Sequence, residues 1–176
     1  PFIHGIKGAF RFLVLSSVVA ALGAFSFAYA VLHLANGTTD LVFPLMAALY
    51  IYAMHVFNRF LDKEAASYND PDRATFQKQH KNLLIPMGSI AMGISLILAL
   101  ITGIGTFIAL VCSSLLGVIY SIPLISEGAG NRYRFVKIKD IPGSRSLSEA
   151  LAWMAVMVFL PLFSGRPGPV LSIAIT

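Results

Sequence analysis

The sequence predicts an all-α fold, a polytopic bundle of transmembrane helices, and three observations predict it. Only 12% of the residues are charged and 57% are hydrophobic, where a soluble domain carries about 25% charged residues. The apolar residues gather into runs long enough to cross a bilayer, and the mean hydropathy is +0.78. Backbone groups in lipid must bond within their own segment, so runs of this kind are helices.

The elements follow in chain order. Phe12 to Ala35 is an uncharged run of 24 residues, enough for a first span with some tilt. A signal peptide would show a shorter apolar core and a small-residue cleavage site, so the run reads as a span. "NGTTD" is a turn, and Leu41 to Asn58 is a second span of 18 residues. Leu83 to Gly103 and Ile104 to Ile122 are the third and fourth, joined through the short hairpin "TGIGT". Leu147 to Phe163 is a shorter fifth span with Glu149 near its start, and Pro169 to Thr176 begins a sixth. These elements form one transmembrane domain over residues 1–176, with no internal repeat. The chain starts without Met and ends on the apolar run "GPVLSIAIT". Both ends read as cut points, so the expectation is part of a larger bundle, truncated at both ends. Cys112 lies inside an apolar run, has no disulfide partner and reads as a packing residue.

Charge orients the spans. Two Lys or Arg precede the first span, five lie from Arg59 to Lys81, five from Arg132 to Arg145, and only Arg166 falls on the other side. The positive-inside rule then places the N-terminus and the loops at about 59–82 and 123–146 in the cytoplasm. The net charge of +5 reflects those basic loops, so no nucleic-acid partner is expected. In the first loop Asp70 reads as a helix N-cap with Pro71 at the first helical position. "PDRATFQKQHK" is then a short amphipathic interfacial helix, and Asp72 is a first-turn acid. The second loop, "EGAGNRYRFVKIKDIPGSRS", is punctuated by Gly and Pro and carries no clear helix.

The most polar stretch, "NRFLDKEAASYNDPDR", packs seven charges into sixteen positions where the second span ends. Asn58 and Asp62 are four apart and share one helix face, with His55 three residues before. Hard oxygen donors on one face suit Mg²⁺, which is held by one or two carboxylates together with substrate phosphates. The same residues also read as ordinary polar decoration of an interfacial helix end. Arg132, Arg134, Lys137 and Lys139 in the second loop read as contacts to an anionic substrate or as anchors to anionic lipid.

This stretch resembles the first Asp-rich motif, N-D-x-x-D-x-x-x-D, of the UbiA superfamily of intramembrane prenyltransferases. Asn58 matches its Asn and Asp62 its first following Asp. Arg59 and Ala66 stand where the family often has Asp, and Lys81-Asn82 where it often has Arg-Pro. "GVIYSIPLI" at the end of the fourth span is similar to the family's YS-x-P segment, and "IPGSRSLSEALAWMAV" to the start of its fifth. The family's second motif, D-x-x-x-D, is not found in the chain.

The resemblance implies a polyprenyl diphosphate donor, Mg²⁺ as cofactor with Asn58 and Asp62 as catalytic metal ligands, and an acceptor that is commonly aromatic. It further suggests Lys81 and Tyr120 as substrate-binding residues. By charge and position Arg134, Lys137 and Lys139 read as diphosphate contacts across from Asp62, and Arg11, just before the first span, as reaching the same face. The alternative is a non-catalytic membrane protein or a transporter segment, whose mark would be a broken helix or a charge buried mid-span. A CDP-alcohol phosphotransferase would need D-G-x-x-A-R, which is absent.

Two further sets of residues divide between substrate and packing. Phe43, Met46, Tyr50 and Met54 offer an apolar wall for a prenyl tail, or simple helix packing. Gly88, Gly93, Ser113 and Gly117 read as close helix contacts, and His33 and Trp153 as interfacial or packing residues.

Overall fold

A computed structural model describes residues 2–36, 40–61, 70–121, 123–127 and 134–137, together with 150, 153 and 156. The fold is all-α, with one small ribbon. Its helices are α1 (Phe2–Leu15), α2 (Val18–Asn36), α3 (Val42–Leu61), α4 (Pro71–Gln79), α5 (Lys81–Thr102) and α6 (Ile104–Ser121). After α6 come β1 (Pro123–Glu127) and β2 (Arg134–Lys137), paired antiparallel with Glu127 opposite Arg134 and a register shift between Pro123 and Ile125. The ribbon occupies part of the loop that the sequence left without a helix.

Helix α3 sits in the middle, against α2, α5 and α6. Phe43, Met46, Ala47, Tyr50, Ile51, Tyr52, Ala53 and Val56 are all buried, so α3 is covered on most of its circumference. The α3–α5 contact is made by small residues. Gly88 backs onto Val56 and Phe57, and the buried Ser95 Oγ donates to the Met46 carbonyl at 3.2 Å. On the other side Tyr50 lies beside Ser114, whose Oγ donates to the Leu110 carbonyl at 2.8 Å, and the Met54 methyl fills the space beside Gly117. Val156 is buried in this core and Trp153 packs against it. Of the glycines expected at contacts, Gly88 and Gly117 are there, whereas a Cβ added at Gly93 would meet open space.

Two helix ends follow from local chemistry. Asp70 caps α4 as the sequence predicts: its Oδ1 accepts from the Arg73 amide at 3.1 Å, with Pro71 opening the helix. The break between α5 and α6 is a single residue, Gly103, at φ 156°, a conformation costly for any residue with a Cβ.

The expected first span is corrected. It does not run straight from Phe12 to Ala35 but breaks at Ser16 and Ser17, and the axis turns by 69° between α1 and α2. Ser17 holds a left-handed backbone, φ 71°, which stops a right-handed helix. Ser16 Oγ bonds the Leu13 carbonyl, and the Arg59 guanidinium reaches the Leu15 carbonyl at 3.5 Å. A hydroxyl and a cation thus take up carbonyls that a continuous helix would have bonded internally.

Among the described helices Lys81–Thr102 alone is long and apolar enough to cross a membrane, and the bent pair Gly8–Leu15 with Val18–Leu34 meets the same measure when taken together. The side-chain pattern of α5 is inverted relative to a water-soluble core. Its buried positions are Leu84, Gly88, Ala91, Ser95 and Ala99. Its outward positions include Ile90, Ile97 and Ile101, which are 61%, 59% and 75% exposed.

Candidate functional site

The register of the helices locates one polar end of the bundle. Helix α5 runs antiparallel to α3, because Ser95 meets Met46 while Gly88 meets Val56 and Phe57. Lys81 lies two turns before Gly88 and therefore stands just beyond the C-terminal turn of α3. Helix α6 runs parallel to α3, because Tyr50 meets Ser114 and Met54 meets Gly117. Tyr120, three residues past Gly117, is then level with Asn58. The ribbon leaves from the same end, with Lys137 opposite Pro123.

Asn58, Lys81, Tyr120, and the strand bearing Arg134 and Lys137 are thereby brought to one end. Asn58 is exposed on the last full turn of α3, Lys81 is exposed at the start of α5, and Tyr120 is half-buried. Asp62 and Lys139 lie outside the described residues.

Helices α1 and α4 cover this end. The Arg11 Nη2 pairs with Asp72 Oδ2 at 3.1 Å, both side chains well exposed, so Arg11 has a carboxylate partner at hand. An exposed pair of this kind contributes about 0–1 kcal/mol. More of the joint is aromatic. The Phe12 ring stands edge-on to Phe76 with centroids 5.5 Å apart, and Phe76 stacks on His80 at 4.2 Å. His80 Nδ1 also bonds the Phe76 carbonyl at 2.9 Å, closing the turn into α5. A cleft of about 440 Å³ lies between the two helices, bordered by Arg11, Phe12, Asp72, Thr75, Phe76 and Gln79. The sequence reading singled out neither Phe12, Phe76 and His80 nor the reach of Arg59 to α1. The i, i+4 spacing of Phe76 and His80 was the one available signal.

Of the two readings of Phe43, Met46, Tyr50 and Met54, a wall for a prenyl tail or helix packing, the structure shows packing. The first three are buried in the core, and Met54 packs on Gly117. The groove that is open lies on another side of α3, where Ala48, Leu49 and Tyr52 meet Val18 and Ala21 of α2 and Met87, Ile90 and Ile94 of α5. It holds about 310 Å³. Tyr52 and Asn58 are six residues apart, which turns the groove about 120° away from Asn58 around the helix.

Among the described residues no three His, Cys, Asp or Glu side chains cluster as a metal cage. Mg²⁺ does not require such a cage when substrate phosphates complete its shell. Asn58 supplies one hard oxygen donor in the open, a donor type that suits this ion. The chain matches no known family profile, no curated protein and no solved structure.

Proposed function

We propose that the chain is part of a multi-pass membrane enzyme that, like the UbiA superfamily it resembles, transfers a prenyl group from a polyprenyl diphosphate to an acceptor, commonly an aromatic one. The observation that carries the reading is the gathering of Asn58, Lys81 and Tyr120 at one end of an apolar bundle. The inverted pattern of α5 supports the membrane setting. Small residues at helix contacts and large aliphatic residues outside are how helices associate in lipid, where apolar burial alone gives no drive. In this reading the N-terminus and the polar end face the cytoplasm, on the side favoured by the basic loops.

The roles then divide by chemistry. Asn58 and Asp62 hold Mg²⁺ against the donor diphosphate. When bound, the ion supplies Lewis-acid stabilisation of the leaving diphosphate. Lys81, Arg134, Lys137 and Lys139 contribute positive charge for the same group, with Arg able to engage it through paired N–H donors. Arg11 can join them by exchanging Asp72 for phosphate oxygens. Tyr120 adds a phenol at the level of Asn58, where donor tail and head group divide.

One observation favours the transporter alternative: the broken helix at Ser16 and Ser17. Discontinuous transporter helices break near the bilayer midplane. Here the break falls near the start of the apolar run, and the 19 residues of α2 beyond it still span roughly 28 Å at about 1.5 Å per residue. The position of the break therefore suits a helix that turns at the membrane surface.

The test of the enzymatic reading is donor turnover. Membranes carrying the full chain, given an allylic polyprenyl diphosphate and an aromatic acceptor, should release diphosphate in the presence of Mg²⁺ and lose that release on chelation. Equal release with and without chelator would remove the metal from the proposal.

A further inference from the structure

We infer that α1 is an interfacial membrane anchor, lying in the lipid headgroup region of the leaflet that holds the Asn58 end, with its apolar side turned into the acyl boundary. The inference rests on the membrane reading above and adds a lipid-binding surface to it.

Three observations carry it. The first is the 69° turn between α1 and α2. If α2 follows the membrane normal, α1 lies within about 20° of the membrane plane, the attitude of an amphipathic surface helix. The second is its two-sidedness. Arg11, Phe12 and Leu15 border the cleft toward α4. Phe10 and Leu13 stand on the opposite side of the helix and are 66% and 39% exposed. Read along the sequence alone, Ile3 and Ile6 continue the spacing of Phe10 and Leu13. The third is what covers the other side. Helix α4 is polar, and it is joined to α1 by the Arg11–Asp72 pair and the Phe12–Phe76 contact. Polar α4 thus lies toward water, basic α1 lies beneath it, and the stripe of Phe10 and Leu13 remains for lipid. The absence of acids in α1 suits an anionic leaflet.

Site-directed spin labelling distinguishes this placement from the alternatives. In a Cys112→Ser background, single nitroxides would replace Phe10, Leu13, Ile90 and Thr75 in the full chain. The protein would be reconstituted in phosphatidylcholine–phosphatidylglycerol vesicles. Collision with oxygen reports lipid, and collision with a water-soluble nickel chelate reports water. Ile90, midway along α5 and outward-facing, is the deep reference, and Thr75, exposed on α4, is the aqueous one. The expected result is oxygen-dominated collision at 10 and 13, several-fold above position 75, at a depth clearly shallower than position 90. Nickel access at 10 and 13 equal to that at 75, with 90 still deep, would overturn the anchor and leave the membrane reading standing. Depths at 10 and 13 equal to that at 90 would mean that α1 enters the bilayer, which also overturns it. Nickel access at 90 would remove the membrane reading and the anchor with it. Positions 10 and 13 report separately, so misfolding of one variant leaves the other to decide.

Discussion

Replacing Asn58 with Ala is expected to lower donor turnover by about 100-fold or more while leaving the protein folded. Even outer-shell partners of a bound metal cost roughly 10–100-fold when removed, and Asn58 is proposed as a direct ligand. Its exposure at the end of α3 means that the substitution opens no cavity, and exposed changes of this kind stay within about 0.5 kcal/mol of stability. Asn58→Asp keeps an oxygen donor at the same place, so it should recover a large part of the activity and shift the Mg²⁺ concentration needed for half-maximal turnover. Steady-state turnover against Mg²⁺ concentration, run beside thermal unfolding in detergent, separates a metal ligand from a residue that merely supports the fold. If Ala and Asp variants fell equally, with unfolding temperatures lowered in parallel, Asn58 would be structural.

The largest effect on stability is expected at the α3–α5 contact. A Cβ placed on Gly88 would sit 3.0 Å from Val56 Cγ1 and 3.3 Å from its Cβ, tighter than ordinary van der Waals contact, with the Phe57 ring in ordinary contact at 3.5 Å. Gly88→Ala would meet that crowding but gain about 1 kcal/mol of helix propensity, so the two nearly offset. Gly88→Leu has no such balance. It forces α3 and α5 apart, an overpacking cost of about 1–3 kcal/mol. The Ser95–Met46 hydrogen bond, which needs the same close approach, would go with it. The Ala variant should unfold near the parent and the Leu variant well below it. An unchanged unfolding temperature in Gly88→Leu would show that the contact is loose. The same reasoning applies to Ala47, which is fully buried: a bulky residue there disturbs the core.

Much of the helical layout was legible in the sequence because its signals are local. The capped start of α4 follows from Asp70 and Pro71, and the α5–α6 break from Gly103. The second, third and fourth apolar runs end within a few residues of α3, α5 and α6. The turn at Ser16 and Ser17 was not legible. Two serines scarcely lower the hydropathy of a 24-residue run, and what ends α1 includes a guanidinium 44 residues away, Arg59 on the Leu15 carbonyl. That contact gives a physical role to the position where the resemblance would have expected Asp. The ribbon was missed because its strands are short and lie among Gly-rich residues. The face of α3 that meets the core was unreadable for a different reason: with apolar residues all around, Phe43, Met46 and Tyr50 carry no periodic mark to separate a wall from a contact. Of the candidate site, Asn58, Lys81 and Tyr120 were legible as residues. Their meeting at one end came from helix register, which the sequence does not print. Asp62 and Lys139 lie outside the described residues and rest on the sequence and the resemblance.

Asp62→Ala in the full chain provides the most direct measurement of the central claim. The parent and the variant would be compared for release of diphosphate from an allylic polyprenyl diphosphate at saturating Mg²⁺, with membrane insertion of each confirmed by its resistance to alkaline extraction. The expected result is Mg²⁺-dependent release by the parent and its loss in a variant that remains inserted. Turnover by the inserted variant equal to that of the parent would contradict the account and leave Asp62 as surface decoration on a membrane helix.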